Sequence, residues 1–287
     1  MSSTLRLLAA VLVGCTLSLP AKAARIGVLS NRFAVETAAD FGARIPTHVF
    51  TGVDVSTTVP ALATLLANYD VILLFEDNTF ANSTSVGNRV AEFANAGRPV
   101  VLGTFYDQDR SDATGGMTVP HGWGALETID PNTTDGFGTA YAVRTLDPAS
   151  LVRHPLTSGV TSLSALRGNP GPYAGGNVAK PGTTVVAAWS QRNALGGIDP
   201  AIAYRKTGRA CVIHIGIAPD YGVVPTFNTF GTDFAGDFYR AWRDAFDYGA
   251  LGCRASPIPT LSSWALAVLA LALLGFAATA VRRRAHG

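Results

Sequence analysis

Five carboxylates stand where a hard cation or a sugar could be held. Glu76 and Asp77 directly follow the aliphatic segment Val71 to Phe75, and Asp107, Asp109 and Asp112 follow Val100 to Gly103. Carboxylate oxygens suit Ca²⁺ or Mg²⁺, with Asp107, Asp109 and Asp112 as the candidate metal set, although the glycine and closing glutamate of an EF-hand loop are missing. The same acids beside Tyr106 and Trp123 would suit a sugar, because carboxylates accept from hydroxyls and aromatic rings cover a sugar face. A solvated acidic loop is the plain alternative. His121, in TVPHGWGALE, is the histidine best placed to touch a ligand, or else an ordinary exposed loop residue. His214 lies in an aliphatic strand and reads as packing, and His154 before Pro155 reads as a structural turn. Thr104 offers a hydroxyl with no recognisable base, so no catalytic set is expected.

Strands and helices in alternation must position these groups. Ile26 to Ser30, His48 to Val53, Val71 to Phe75 and Val100 to Gly103 are short aliphatic runs. Between the later runs, TVPALATLLANYD and SVGNRVAEFANAG carry apolar residues at helical spacing, the second ending on Gly97; AVETAADFGAR can form a helix after the first. The pattern predicts an α/β fold, a doubly wound and mainly parallel sheet covered on both faces. The carboxyl ends of such strands line the ligand crevice. If the third and fourth strands are neighbours, the five acids share one rim. A long irregular excursion of almost 80 residues follows Gly103, polar and glycine-rich, with room for a small β hairpin or lid. Strands resume at Thr184 to Trp189, Ala201 to Tyr204 and Ala210 to Ile217, and an amphipathic helix runs from about Asp233 to Tyr248.

Charge and cysteine usage narrow the classes. Five of the 22 basic residues (Arg6, Lys22, Arg282, Arg283, Arg284) lie in the terminal segments and all 20 acidic ones lie between, so the body holds 17 bases against 20 acids. No basic patch suggests a nucleic-acid partner. Cys211 and Cys253 are the cysteines of the body; in an oxidising compartment the pair favours a disulfide, with two buried free thiols as the alternative.

In that order along the chain, YDVILLF, EFANAGRPVVLGTF, RHPLTSGV and GRACVIHIGI resemble the class I glutamine amidotransferase-like fold, especially its ThuA-like branch, over roughly Arg25 to Gly249. The resemblance implies a cysteine nucleophile on the turn after the fourth strand. Here that turn reads Gly103-Thr104-Phe105-Tyr106, so a glutaminase activity is not expected. A non-catalytic domain serving binding or structure is the leading expectation. The alternative is a carbohydrate-directed hydrolase working through the acidic rim.

The ends carry an address. MSSTLRLLAAVLVGCTLSLPAKAA has an early Arg6, an apolar stretch and the small-x-small triplet Ala21-Lys22-Ala23, which reads as a signal peptide over residues 1–23, cut before Ala24. The competing reading takes Leu12 to Cys15 as a lipobox with Cys15 lipidated. An exported domain over 24–254 would then lead into a sorting tail over 255–287. Leu261 to Val281 as a helix would rise about 31 Å, enough for one C-terminal transmembrane helix. Arg282, Arg283 and Arg284 would set its topology by staying in the cytoplasm. Ile258, Pro259, Thr260, Leu261 and Trp264, followed by the apolar run and the basic cluster, resemble the IPTL-CTERM sorting domain, a relative of the PEP-CTERM signals. The resemblance implies an exosortase as partner, with an inner-membrane, periplasm-facing intermediate before processing and a cell-envelope or extracellular product after it. By association it also suggests an extracellular polysaccharide as partner.

Overall fold

The computed structural model describes residues 23–77, 80–103, 122–134, 141–168, 171–173, 176–223 and 233–254. Within them the strands are β1 (Arg25–Ser30), β2 (Val49–Asp54), β3 (Val71–Leu74), β4 (Val100–Gly103), β5 (Asn132–Thr134), β6 (Arg144–Thr145), β7 (Leu163–Ala165), β8 (Asn177–Ala179), β9 (Thr183–Ala188), β10 (Pro200–Thr207), β11 (Ala210–Ile215) and β12 (Phe234–Gly236). The α-helices are α1 (Ala34–Arg44), α2 (Leu62–Asn68), α3 (Ser83–Asn95) and α4 (Phe238–Ala250).

Seven strands form the main sheet in the order β2-β1-β3-β4-β11-β10-β9. The first five of these are parallel, while β10 pairs antiparallel with both β11 and β9. The mainly parallel α/β sheet is therefore as the sequence predicts, with an antiparallel flank that the strand runs alone do not announce. The cause is local: Thr207 pairs with Ala210, so Gly208 and Arg209 alone make the turn. Gly208 has φ 59°, the positive φ that a two-residue hairpin favours.

Alternating side chains divide the parallel strands between two cores. Val71, Leu73 and Phe75 with Ile213 and Ile215 face α1 and α4, where Phe41, Trp242 and Phe246 pack; Ile72, Leu74, Val100 and Leu102 face α2 and α3, where Leu65, Val86, Val90 and Phe93 pack. Each helix buries a stripe at the expected spacing, such as Phe238, Ala241, Trp242, Ala245 and Phe246 in α4. α3 starts where Asn82 accepts from the Ser85 N–H at 2.8 Å, a side-chain N-cap.

The excursion between β4 and β9 carries the small antiparallel pair β5-β8 and the strands β6 and β7, which β12 from beyond β11 completes into a second small antiparallel sheet, β12-β7-β6. Its tie to the main sheet is a buried polar knot. Asp199, fully buried, accepts from Tyr173 OH, from Asn177 N–H and Nδ2 at 3.2 Å each, and from Arg144 Nε at 3.3 Å. The Arg144 guanidinium also covers the Tyr173 ring at 4.3 Å. Four donors on one carboxylate satisfy it without water, which is how a buried charge is tolerated. His154 caps a 3-10 turn by accepting from the Leu156 N–H at 3.2 Å, the structural turn its Pro155 suggests.

Candidate functional site

Chain order fixes where a crevice must open. From β1 the chain steps to β2 on one side and then crosses to β3 on the other, so the winding reverses between β1 and β3, the switch point at which doubly wound sheets bind ligands. The residues following those strands are Asn31-Arg32-Phe33 and Glu76-Asp77. They are tied together: the Asp77 N–H donates to Asn31 Oδ1 at 3.0 Å, and Arg32 Nη1 lies 3.5 Å from Asp77 Oδ2. Arg32 also stands over the Phe33 ring at 4.4 Å. Phe33 has φ 56°, a left-handed conformation uncommon for an aromatic residue and one that collects at functional sites. Its twist turns the chain from β1 directly into α1.

Beside this switch point, β3 and β4 pair in parallel from Ile72–Val100 to Leu74–Leu102, so the third and fourth runs are neighbours. β11 follows β4 and leads into a 3-10 turn, Pro219–Gly222, whose Asp220 is fully buried. A Cβ on Gly103 would fall 2.9 Å from Pro219 and 3.0 Å from Phe75, so only glycine lets these strand ends close up.

The sequence-derived candidates divide. Asp77 stands at the switch point with its side chain only 7% exposed, paired with the half-exposed Arg32. Glu76 is fully buried and is not on an open rim. Trp123 is 2% exposed and belongs to the core, its ring edge-on to Phe80 at 5.2 Å, so it offers no stacking face to a sugar. α3 lies close against it: a Cβ on Gly87 of α3 would meet the Trp123 carbonyl oxygen at 1.9 Å. Asp107, Asp109, Asp112 and His121 lie outside the described residues. Among the described residues no group of three or more potential ligands could hold a metal ion. His214 is a core residue, its pKa pushed down to about 3 by burial, so it is held neutral and is no proton shuttle at neutral pH. Sequence reasoning passed over Asn31, Arg32, Phe33 and Asp220, although the rule that singled out Glu76 and Asp77 applies equally to the ends of β1 and β11.

Cys211 and Cys253 are joined in a disulfide, their Cα atoms 6.3 Å apart. It ties β11 to the end of α4, and the Lys206 ammonium donates to the Cys253 carbonyl at 2.8 Å beside it. Ile258, Pro259, Thr260, Leu261, Trp264 and Arg282 to Arg284 lie outside the described residues, among which no helix is long and apolar enough to cross a membrane.

The tail is decided by comparison with known families. Residues 256–285 match the IPTL-CTERM motif. That IPTL-CTERM match begins two residues beyond Arg254 and marks the chain as an exported protein. No curated protein matches the sequence. For the body, a cytoplasmic protein from Salmonella typhimurium is similar in structure, with TM-score 0.52 and 11% identity over 78% of this chain and 98% of the other. A glutamine amidotransferase from Thermotoga maritima gives TM-score 0.44 and 9% identity over 79% and 98% of the two chains. A β-galactosidase from Bacillus circulans gives 0.45 and 14%, and there 70% of this chain spans only 29% of the enzyme. At such identities the likeness speaks for the α/β fold alone.

Proposed function

We propose that this is an envelope protein of an exporting cell, delivered through its C-terminal signal, whose α/β body is a non-catalytic binding domain with its ligand at the β1/β3 switch point. The IPTL-CTERM match over residues 256–285 carries the first half. On that reading an exosortase-type enzyme is the processing partner. Leu261 to Val281 spans the inner membrane before processing, with Arg282 to Arg284 inside and residues 24–254 outside.

The arrangement around Asp77 supports the second half. Asp77 and Arg32 together offer an acceptor and a donor fork with little net charge. That suits a neutral, hydroxyl-bearing ligand such as a glycan better than a bare divalent cation, for which Arg32 would be a like-charged neighbour. The Asp77 N–H to Asn31 bond and the Arg32–Asp77 pair tie the two loops together.

Two measurements test the proposal. In cells with and without the cognate exosortase, mass spectrometry of the protein should find residues 282–287 lost only when the enzyme is present; an intact tail in both rejects the sorting reading. Calorimetry of the wild type with neutral glycans and with Ca²⁺ or Mg²⁺ should show glycan binding that Arg32→Gln with Asp77→Asn abolishes. Turnover of the glycan in place of stable binding would establish the hydrolase alternative, and binding of neither probe would leave the crevice a solvated edge.

A further inference from the structure

The residue preceding β1 is built into the fold more tightly than a linker needs to be. Ala24 donates its N–H to His48 Nδ1 at 3.4 Å, accepts from the Val49 N–H at 3.0 Å, and is 5% exposed. His48 is buried edge-on between Phe50 and Phe246, and its Nε2 lies 3.1 Å from Asp247 Oδ1 on α4. Ala23, one residue earlier, is exposed. Beside the Ala23–Ala24 bond lies a cavity of about 240 Å³, lined by Asp70 and Arg98 and by the glycines at the end of α4, Gly249 and Gly252. Asp70 stays ionised there, its pKa drawn down to about 2, first by hydrogen bonds from Arg25. One backbone nitrogen is thus surrounded by an imidazole acceptor, a nearby carboxylate and room for water.

An amide nitrogen can use a single donor in that setting, whereas an ammonium could use three. We propose that the exported chain is cut between Ala23 and Ala24, and that the α-ammonium so created is a structural group seated on His48 Nδ1 and facing the Asp70-lined cavity. The inference rests on the export reading given above. The cut is a hydrolysis by a signal-cleaving endopeptidase: water adds to the Ala23 carbonyl, the C–N bond breaks, Ala23 departs as a carboxylate, and the Ala24 nitrogen leaves protonated as –NH₃⁺. Seating the ammonium requires Nδ1 to be the bare nitrogen of a neutral imidazole, which puts the ring proton on Nε2, the nitrogen beside Asp247.

The placement also orders events. Once β1 is docked, Ala24 has both its N–H and its carbonyl engaged and cannot lie extended in a protease cleft, because cleavage needs exposed and unpaired backbone. On this proposal the cut takes place while Ala24 is still extended, before β1 closes against β2.

The experiment uses the full chain, expressed in an exporting cell and recovered from the envelope fraction. Mass spectrometry should find Ala24 as the first residue. The protein is then treated near pH 7 with an acylating reagent, conditions under which an α-amine of ordinary pKa, about 7.7–8.0, reacts ahead of lysine. Acylation of Ala24 should be on the order of tenfold slower in the native protein than in urea, as for a group released only by local opening. His48→Ala should remove most of that protection, and His48→Gln, which keeps an acceptor, should retain part of it. If His48→Ala does not accumulate, the native and urea rates of the wild type still decide. An exported chain beginning elsewhere, or one acylated at equal rates in both states, overturns this inference alone. A chain found in the cytoplasm with residues 1–23 attached overturns the export reading and this inference with it.

Discussion

Removing the disulfide should rank among the costliest small changes in the body. The Cys211–Cys253 link spans 42 residues of chain. For a loop of that length the unfolded-state entropy argument gives about 13 cal/mol/K, or about 4 kcal/mol at 25 °C. In a domain of this size one kcal/mol moves the midpoint by about 2–4 °C, so Cys211→Ala with Cys253→Ala should lower Tm by roughly 8–16 °C in scanning calorimetry. Alanine is the right replacement because both positions are buried, at 3% and 1% exposure, and a serine hydroxyl there would add its own desolvation cost. Cys253 also holds φ 54°, so replacing it with glycine in the double variant should recover part of the loss. Wild type in reductant should behave as the alanine double variant does. A variant Tm within about 2 °C of wild type would refute the reasoning, as would two reactive thiols in unreduced, denatured protein.

Two further outcomes follow from buried carboxylates. Asp244 on α4 has its pKa raised to about 6, chiefly by burial and partly opposed by Arg243. Its folded value exceeds its unfolded one, so the stability it confers is full below about pH 4 and is lost as pH rises through 6. Asp244→Asn should therefore be more stable than wild type by about 1–3 kcal/mol at pH 7.5 and lose that advantage at pH 4, measured by urea midpoints; parallel curves for the two proteins would reject the burial argument. In the Asp199 knot, Asp199→Asn strands the largely buried Arg144 charge and should cost about 3–5 kcal/mol, whereas Tyr173→Phe loses one bond and should cost about 1–3 kcal/mol. The reverse order in urea unfolding would show that Arg144 finds another partner.

The parts of the fold that were legible are those made by local sequence. AVETAADFGAR forms α1 over Ala34–Arg44 because Ala34, Ala38 and Phe41 fall on one face. The parallel strands are short aliphatic runs that alternate between two cores, a pattern with few competitors. The excursion was not legible, since β6 has two residues and β7 and β8 three each, too few to show a period. Their positions come from pairing across long stretches of chain and from Asp199, whose four donors no spacing rule connects. The antiparallel flank, by contrast, was there to be read in Lys-Thr-Gly-Arg-Ala, a two-residue turn between strand-like segments. Trp123 was expected to cover a sugar face, but a chain position cannot tell an exposed aromatic from a core one, and here the ring packs edge-on to Phe80 at 2% exposure. For the site, the strand-end rule placed Glu76 and Asp77 together on a rim, but order along the chain does not say which of two adjacent carboxylates turns inward, and Glu76 is fully buried.

The topology also sets the direction in which such a site would face. α4 runs back along the sheet, so that Gly249 reaches Val71 and Pro99 at the amino ends of β3 and β4, and the disulfide then pins Cys253 near the start of β11. Arg254 leaves the body at that edge, and Ala23 enters it at the same edge, beside Gly249 and Asp70. The Asn31, Arg32 and Asp77 crevice lies at the opposite ends of the strands, about 15–20 Å away along runs of four to six residues. Ala23 and Arg254 thus lie at one edge of the body, and the Asn31, Arg32 and Asp77 strand ends lie at the other. The disulfide gains a second role from this geometry. It fixes the last described residues of the body to β11, a central strand of the main sheet. A binding face and an attachment face kept at opposite ends of one sheet can each change without disturbing the other, which fits a body whose strands remain aliphatic while its strand ends carry the polar residues.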